Sequence, residues 1–298
     1  MDNAIKNIMK RILYFSFFFL VFFSINKGLL AQSINLGKEI TIVAGSRTVL
    51  TPTLDKDLYY YYRWQPAINI SDSTAIYPLV WPDTTTTYTL MAYRQGGDNL
   101  IHNGNFEEKD FSFRSNYLYT APTDNALYPE GVYAIVTDAQ KHHIYFKSHH
   151  DHTYDNGKGH YMAVNGKMSP GATVWEQQID EIQPETDYIF SVWVVTLKAN
   201  TFMERAILQF NINGRLIEEP FIAPYPDSRS WEQFSVRWNS GESTLAVIKI
   251  LNLNTDADGN DFGLDDISFV PIVPDKGSIK VKVTPKQDKS SEKAETEK

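Results

Sequence analysis

The chain has 298 residues, 42% hydrophobic and 13% aromatic, and a formal charge of −8. That is enough apolar material for one to three packed domains, and so acidic a balance argues against nucleic acid or an anionic membrane surface as partner. There is no cysteine, which removes disulfides, thiolate metal sites and an acylated N-terminal cysteine from consideration.

Lys6, Lys10 and Arg11 precede an apolar run, Ile12–Ile25 (ILYFSFFFLVFFSI). The run is shorter than the roughly 20 residues a membrane span takes and matches the apolar stretch of an export signal. Leu29-Leu30-Ala31 sets the expected cleavage after Ala31, so residues 1–31 are read as a signal peptide, with an uncleaved anchor as the alternative. The mature chain is then expected in the periplasm, at the cell surface or outside the cell. Four cations (Lys6, Lys10, Arg11, Lys27) and Asp2 leave with the signal, taking the formal charge from −8 to −11.

Residues 32–95 predict a small β-domain. Glu39–Ala44 and Arg47–Leu50 flank the turn formers Gly45-Ser46. Tyr59–Trp64 (YYYYRW) alternates, placing Tyr60, Tyr62 and Trp64 on one face. Thr84–Leu90 (TTTTYTL) is a threonine-rich strand. The stretch from Arg63–Ala67 (RWQPA) through Ser71–Ala75 (SDSTA), Pro78 and Pro82 to TTTTYTL resembles the PKD-like or immunoglobulin-like modules of secreted bacterial surface proteins. That resemblance implies a spacer or display role, with Trp64 in the core.

Gly96-Gly97-Asp98 is read as a linker, and residues 99–272 as a second β-domain. In Ala206–Ile212 the residues Ala206, Leu208, Phe210 and Ile212 share one face and Gln209 and Asn211 the other; Asn213-Gly214 then signals a hairpin. Tyr188–Leu197 is apolar on both faces, as a strand covered on both sides must be. Glu232–Trp238 and Leu245–Leu253 add strands. Residues 108–156 are poorly patterned and predict loops. Residues 273–298 form a charged tail, with seven Lys and five acidic residues from 275 onward. It is expected to be disordered, although Ile279–Val283 (IKVKV) alternates as an edge strand does.

Ordered landmarks run through the second domain: NLIHNGNFE (Asn99–Glu107), GKGHYMAVNG (Gly157–Gly166), VWEQQI (Val174–Ile179), PETDYIFSVWV (Pro184–Val194), LQFNINGRLI (Leu208–Ile217), WEQFSVRWNSG (Trp231–Gly241) and GNDFGLDDISF (Gly259–Phe269). Together they resemble the galactose-binding-like jelly-roll carbohydrate-binding modules of families four, nine and twenty-two. The resemblance implies a structural calcium where the opening and closing segments meet. Asn105 would offer a carbonyl, Glu107 a carboxylate, and Asp265 or Asp266 a second carboxylate. Strand alternation points those two aspartates to opposite faces, which favours Asp266, because Asp265 shares its face with Ile267 and Phe269. Hard oxygen ligands of this kind suit Ca²⁺.

Other motifs are weaker. Asp256–Asp261 lacks the glycine and terminal glutamate of an EF-hand loop. Six of seven histidines lie in 142–160, including His149-His150-Asp151-His152, but no HExxH arrangement accompanies them, so a polar loop is the reading. No nucleophile elbow or role-consistent carboxylate pair is present. Sugars need aromatic faces beside planar polar groups. Trp175, Trp193, Tyr119, Tyr128 and Tyr133 are the candidate platforms, and Gln177, Gln209, Asn211 and Arg215 the polar partners. The expectation is an exported all-β protein, an Ig-like or PKD-like sandwich followed by a calcium-stabilised jelly-roll that binds a polysaccharide or glycoconjugate without catalysis. A cell-surface or outer-membrane protein complex is the alternative partner, and a carbohydrate-active hydrolase a lesser one.

Overall fold

The structure is a computed structural model that describes residues 34–198, 204–225, 231–256 and 259–286. The expected signal peptide and the end of the tail lie outside these residues. The described chain is all-β apart from short 3₁₀ turns. It forms two compact units, one made of the residues up to Tyr93 with those from Pro274 onward, the other of Arg94–Val273.

The first unit contains β1 (Ile40–Val43), β2 (Thr48–Val49), β3 (Tyr59–Gln65), β4 (Leu79–Val80) and most of β5 (Thr86–Gln95). One sheet joins β3 to β5, β5 to the end of the last strand and that end to β1, the last pair being parallel. β2 pairs antiparallel with β4 in a second, small sheet. Between them Trp64, Tyr88, Leu50 and Leu90 are fully buried. Their burial satisfies the polar handles as well: Trp64 Nε1 donates to Ala75 O at 3.0 Å, and Tyr88 OH donates to Ile68 O at 3.0 Å.

The second unit holds β6 (Leu118–Tyr119), β7 (Val132–Val136), β8 (Tyr161–Val164), β9 (Ala172–Asp180), β10 (Asp187–Lys198), β11 (Ile207–Ile212), β12 (Arg215–Ile222), β13 (Glu232–Asn239), β14 (Leu245–Asn252) and the first part of β15 (Asp261–Thr284). Its strands form two sheets, β13-β10-β15-β8-β7-β6 and β12-β11-β14-β9. Inward side chains from both, among them Trp175, Phe190, Phe210 and Phe269, make one core; each fully buried large side chain contributes ~1.5–3 kcal/mol relative to exposure. Ala206, Leu208, Phe210 and Ile212 all lie in this core. Asn213 (φ 51°) and Gly214 (φ 79°) form the two-residue turn between β11 and β12, the positive-φ pair that suits the twist of a hairpin.

β10 is apolar on both faces because its outer face is also covered. Leu127, Ala139 and Phe146, from a strap over residues 121–160, pack with Val132, Ala134, Val136, Tyr161, Ala163, Val195 and Leu197 in a second apolar layer. The segment read as loops therefore contributes β6 and β7 and a core of its own.

The tail is also corrected. β15 continues to Thr284, pairing Ile40↔Val281 and Val43↔Thr284 with β1. Ile279 and Val281 are buried against the Trp64 cluster, while Lys280 and Lys282 face outward. The composition of 275–298 argued for disorder, but the period of two in Ile279–Val283 decides burial. In chain order, the second unit is thus an insertion between β5 and the last strand of the first.

Candidate functional site

Three places in the second unit concentrate polar chemistry. The first is a groove of ≈ 440 Å³ lined by Ser112, Phe113, Arg114, Glu176, Gln177 and Gln178. Arg114 and Glu176 exchange both backbone hydrogen bonds at 2.8 Å, which fixes the segment against the edge of β9. Buried Gln177 locks it further, donating to His102 O at 2.9 Å and Ser112 O at 2.6 Å and accepting from His102 N at 2.9 Å. On the groove wall Glu176 Oε2 pairs with Lys249 Nζ at 2.8 Å, and the Gln178 amide donates to Asp180 at 2.8 Å. Phe113 is held edge-on to Phe106, with ring centroids 5.5 Å apart. The exposed Arg114 guanidinium donates to no group among the described residues. A concave surface with fixed planar donors and acceptors beside an aromatic ring is what a sugar's hydroxyls and C–H faces require.

The second place is an acidic corner. β15 carries an irregularity opposite β10, with Ser191↔Ser268 followed by Trp193↔Asp265. Two residues of β10 thus span three of β15, and Asp266 takes φ 44°. This bulge breaks the alternation that the sequence reading assumed. Ile267 and Phe269 point into the main core, whereas Asp265 and Asp266 are both held by the strap. The backbone N–H groups of His152 and Thr153 donate to Asp265 Oδ2 at 2.7 and 3.3 Å. Asp266 accepts from the Thr153 hydroxyl at 2.8 Å and lies 2.6 Å from His152 Nδ1. Burial, then the neighbouring Asp266 charge, push the Asp265 carboxyl up to about 8.

Asn105 and Asp266 line one ≈ 340 Å³ cavity. Gly104 is required beside it, since a Cβ there would sit 2.1 Å from Ile267 O. Glu107, two residues after Asn105, accepts from His160 N at 2.7 Å, and Lys109 Nζ contacts His160 Nε2. Asp151, in the same strap segment as His152, is 1% exposed and its Oδ1 has no hydrogen-bond partner. Among the described residues no three His, Asp or Glu side chains converge closely enough to form a ready metal shell. The donor chemistry nevertheless fits a hard cation: adjacent carboxylates, one buried and disfavoured as an anion, with carbonyl-bearing Asn105 alongside.

The third place is the outer surface of the strap, where Tyr128 is 40% and Tyr145 65% exposed.

The expected platforms divide. Trp175 is fully buried in the main core and Tyr133 is 5% exposed within β7, so both are corrected from ligand surface to packing. Tyr133 donates to Asp110 Oδ1 at 2.6 Å. Trp193 lies on the outer face of β10 but is capped by His152, the rings stacked at 3.8 Å. Tyr119 is 38% exposed and leans on Tyr133. Arg215 is exposed at the start of β12. Gln209 is not a surface group: it donates to Ile217 O and Glu218 O under β12. Phe113 and Arg114, absent from the sequence-based candidates, carry one faint signal, the alternation Phe111-Ser112-Phe113-Arg114 after Glu107.

Comparison with known proteins gives the following. No family model matches the chain, and no curated protein matches it. Among solved structures, the CBM22-1 xylan-binding domain of Paenibacillus barcinonensis Xyn10C is 12% identical, covering 59% of this chain and 96% of that one, with a TM-score of 0.37. The module TmCBM61, solved with β-1,4-galactotriose, is 14% identical, covering 59% and 99%, also at 0.37. A cyclase from Fischerella sp. TAU is 12% identical, covering 61% and 98%, at 0.39. Likeness this slight, shared by proteins of different roles, has no bearing on the ligand of this chain, which its own side chains must decide.

Proposed function

We propose that the second unit is a non-catalytic jelly-roll module that binds glycan in the Arg114 groove. The observation that carries this reading is the groove itself: an exposed guanidinium, a carboxylate fixed by Lys249 and a primary amide, set beside Phe113 on backbone locked to β9. Arg114 and Glu176 offer planar donors and acceptors to sugar hydroxyls, and Phe113 offers a ring to the sugar's C–H face. The partner is a polysaccharide or glycoconjugate. In the same proposal the first unit is an Ig-like or PKD-like spacer. Supporting this is its fully buried Trp64 on the third strand, a feature that immunoglobulin-type sandwiches use. Export rests on the N-terminal sequence alone.

Calcium belongs to this proposal. Asn105, Glu107, Asp265 and Asp266 would hold the ion, which would neutralise carboxylates now stabilised only by N–H, hydroxyl and histidine contacts. Its role would be structural, tying the opening segment of the module to β15.

The test is a glycan array with the mature chain in calcium, followed by titration of the best hit. Arg114→Ala is expected to weaken binding about 10-fold to 100-fold, the usual cost of a hydrogen bond to a charged group. A blank array on folded protein, or an Arg114→Ala variant that binds as the parent does, would overturn the groove assignment.

A further inference from the structure

Along the groove wall the charges do not balance. Arg114 stands opposite Glu176 in an antiparallel bridge, and Glu176 is in turn the cross-strand partner of Lys249 on β14. Residues directly opposite one another in antiparallel pairing share a face, so the three side chains form one transverse row. Its middle carboxylate is already taken: Glu176 Oε2 lies 2.8 Å from Lys249 Nζ. The exposed Arg114 guanidinium is left at the end of the row, with no carboxylate paired to it among the described residues.

A second cation sits farther along the same segment. Lys167 Nζ donates to Asn116 O at 3.1 Å and lies 5.8 Å from the Tyr117 ring, and among the described residues no carboxylate pairs with it. Asn116 is two residues beyond Arg114 and is also bonded to β9, its N–H donating to Thr173 O at 2.8 Å. Two residues of extended backbone cover about 7 Å, so both uncompensated cations are carried at one edge of the sheet. The chain as a whole is acidic, with a formal charge of −8. Exposed charges more than ~10 Å away are largely screened at 0.1 M salt, so a ligand in the groove meets the local cations first.

A neutral sugar would leave these charges as they stand. An anionic one supplies the missing counter-charge. The planar guanidinium donates two parallel N–H bonds to a carboxylate or an ester sulfate, and such charge-assisted bonds are about twice as strong as neutral ones. Glu176 does not oppose this, because Lys249 holds and neutralises it.

We infer that the Arg114 groove takes an acidic saccharide, its anionic group held by the Arg114 guanidinium and Lys167 adding a second positive contact along the same edge. The inference rests on the glycan-binding reading of the groove and narrows it to a chemical class. Uronic acid carboxylates and sugar ester sulfates share that chemistry.

The experiment is calorimetric titration of the full mature chain with trisaccharides of galacturonic, glucuronic and mannuronic acid, each beside its methyl ester, and with a sulfated galacto-oligosaccharide beside its unsulfated parent. The protein is calcium-loaded and freed of excess ion, and near-UV circular dichroism confirms that each variant is folded. The expected result is an acid form bound about tenfold or more tighter than its ester, a preference that shrinks as salt is raised and is lost in Arg114→Gln. Lys167→Ala should lower the preference by a smaller factor. The same pattern for the sulfated sugar alone would uphold the acidic class with ester sulfate as its source. Esters and neutral sugars bound as tightly as the acids, with binding still dependent on Arg114, would overturn the acidic class and leave the groove standing. A preference for the acid that survives Arg114→Gln would overturn the role of Arg114. No heat with any saccharide on folded protein would overturn the groove as well.

Discussion

The two ends of the histidine-rich strap make a useful contrast. At one end His143 is packed between aromatic rings. At the other His152 and His160 lie against Asp266 and Glu107. The residue type is the same and the sequence spacing is short, yet one end is a piece of apolar core and the other answers carboxylates. Neighbours decide what a histidine does, because an imidazole can serve as a flat apolar surface or as a hydrogen-bonding cation. Clustering in sequence therefore says little about chemistry until the partners are known.

The contrast can be broken most forcefully at its aromatic end. Phe146→Ala removes the ring that seats His143 and fills the layer over β7, β8 and β10. A loss of about 3–5 kcal/mol in denaturant unfolding is expected, together with increased proteolysis within 121–160. A loss under about 1 kcal/mol would mean that the strap is not part of the cooperative core.

The carboxylate end is sharpened by metal. With free calcium near a hundredfold above its dissociation constant, the folded state gains about 2.7 kcal/mol, seen as a fall in thermal midpoint on adding EDTA. Glu107→Ala should erase that fall. The same midpoint with and without EDTA in protein shown by elemental analysis to be calcium-loaded would rule out a structural ion.

Acidity should act on the two ends in opposite senses. Folding raises the Asp265 pKa from 3.8 to about 8. Without metal, its contribution to stability is fully present below pH ~4 and is lost as pH rises toward 8. Thermal midpoints in EDTA should fall across that window, and Asp265→Asn should flatten the profile. A parent profile already flat from pH 4 to 8 would show that Asp265 ionises as freely in the folded state as in the unfolded one. His143 runs the other way, with a smaller effect. Burial, then the nearby Lys198 charge, lower its pKa below 6.5, so its contribution is present above pH 6.5 and is lost as pH falls through the folded value. Tyrosine fluorescence of the strap should change on acidification in the parent and not in His143→Phe.

Much of the fold was legible from periodicity. Ala206–Ile212 and Glu232–Trp238 alternate, and β11 and β13 lie there; Tyr59–Trp64 became β3, but Tyr59 and Trp64 are buried and Tyr60 is exposed, so its faces are not those that strict alternation assigned. The apolar stretch from Tyr188 became a strand covered on both faces. Less of the site was legible. The Asp265–Asp266 pair was visible as a motif, but the bulge that turns both residues toward the strap depends on the register with β10. Trp175 read as a platform because aromatic identity carries no information about facing, and Arg114 was passed over because its partner Glu176 is sixty-two residues away in sequence.

The sequence by itself determined that this is an all-β chain without cysteine chemistry, with strand positions, the Asn213-Gly214 turn and an acidic closing motif. These are local properties, set by side-chain alternation and backbone preference over a few residues. Only the tertiary structure decided that Ile279–Val283 completes the first unit, that the strap covers the outer face of β10, and which tyrosines meet solvent. Those outcomes depend on pairings between residues far apart in sequence, where burial is settled by what packs on the other side.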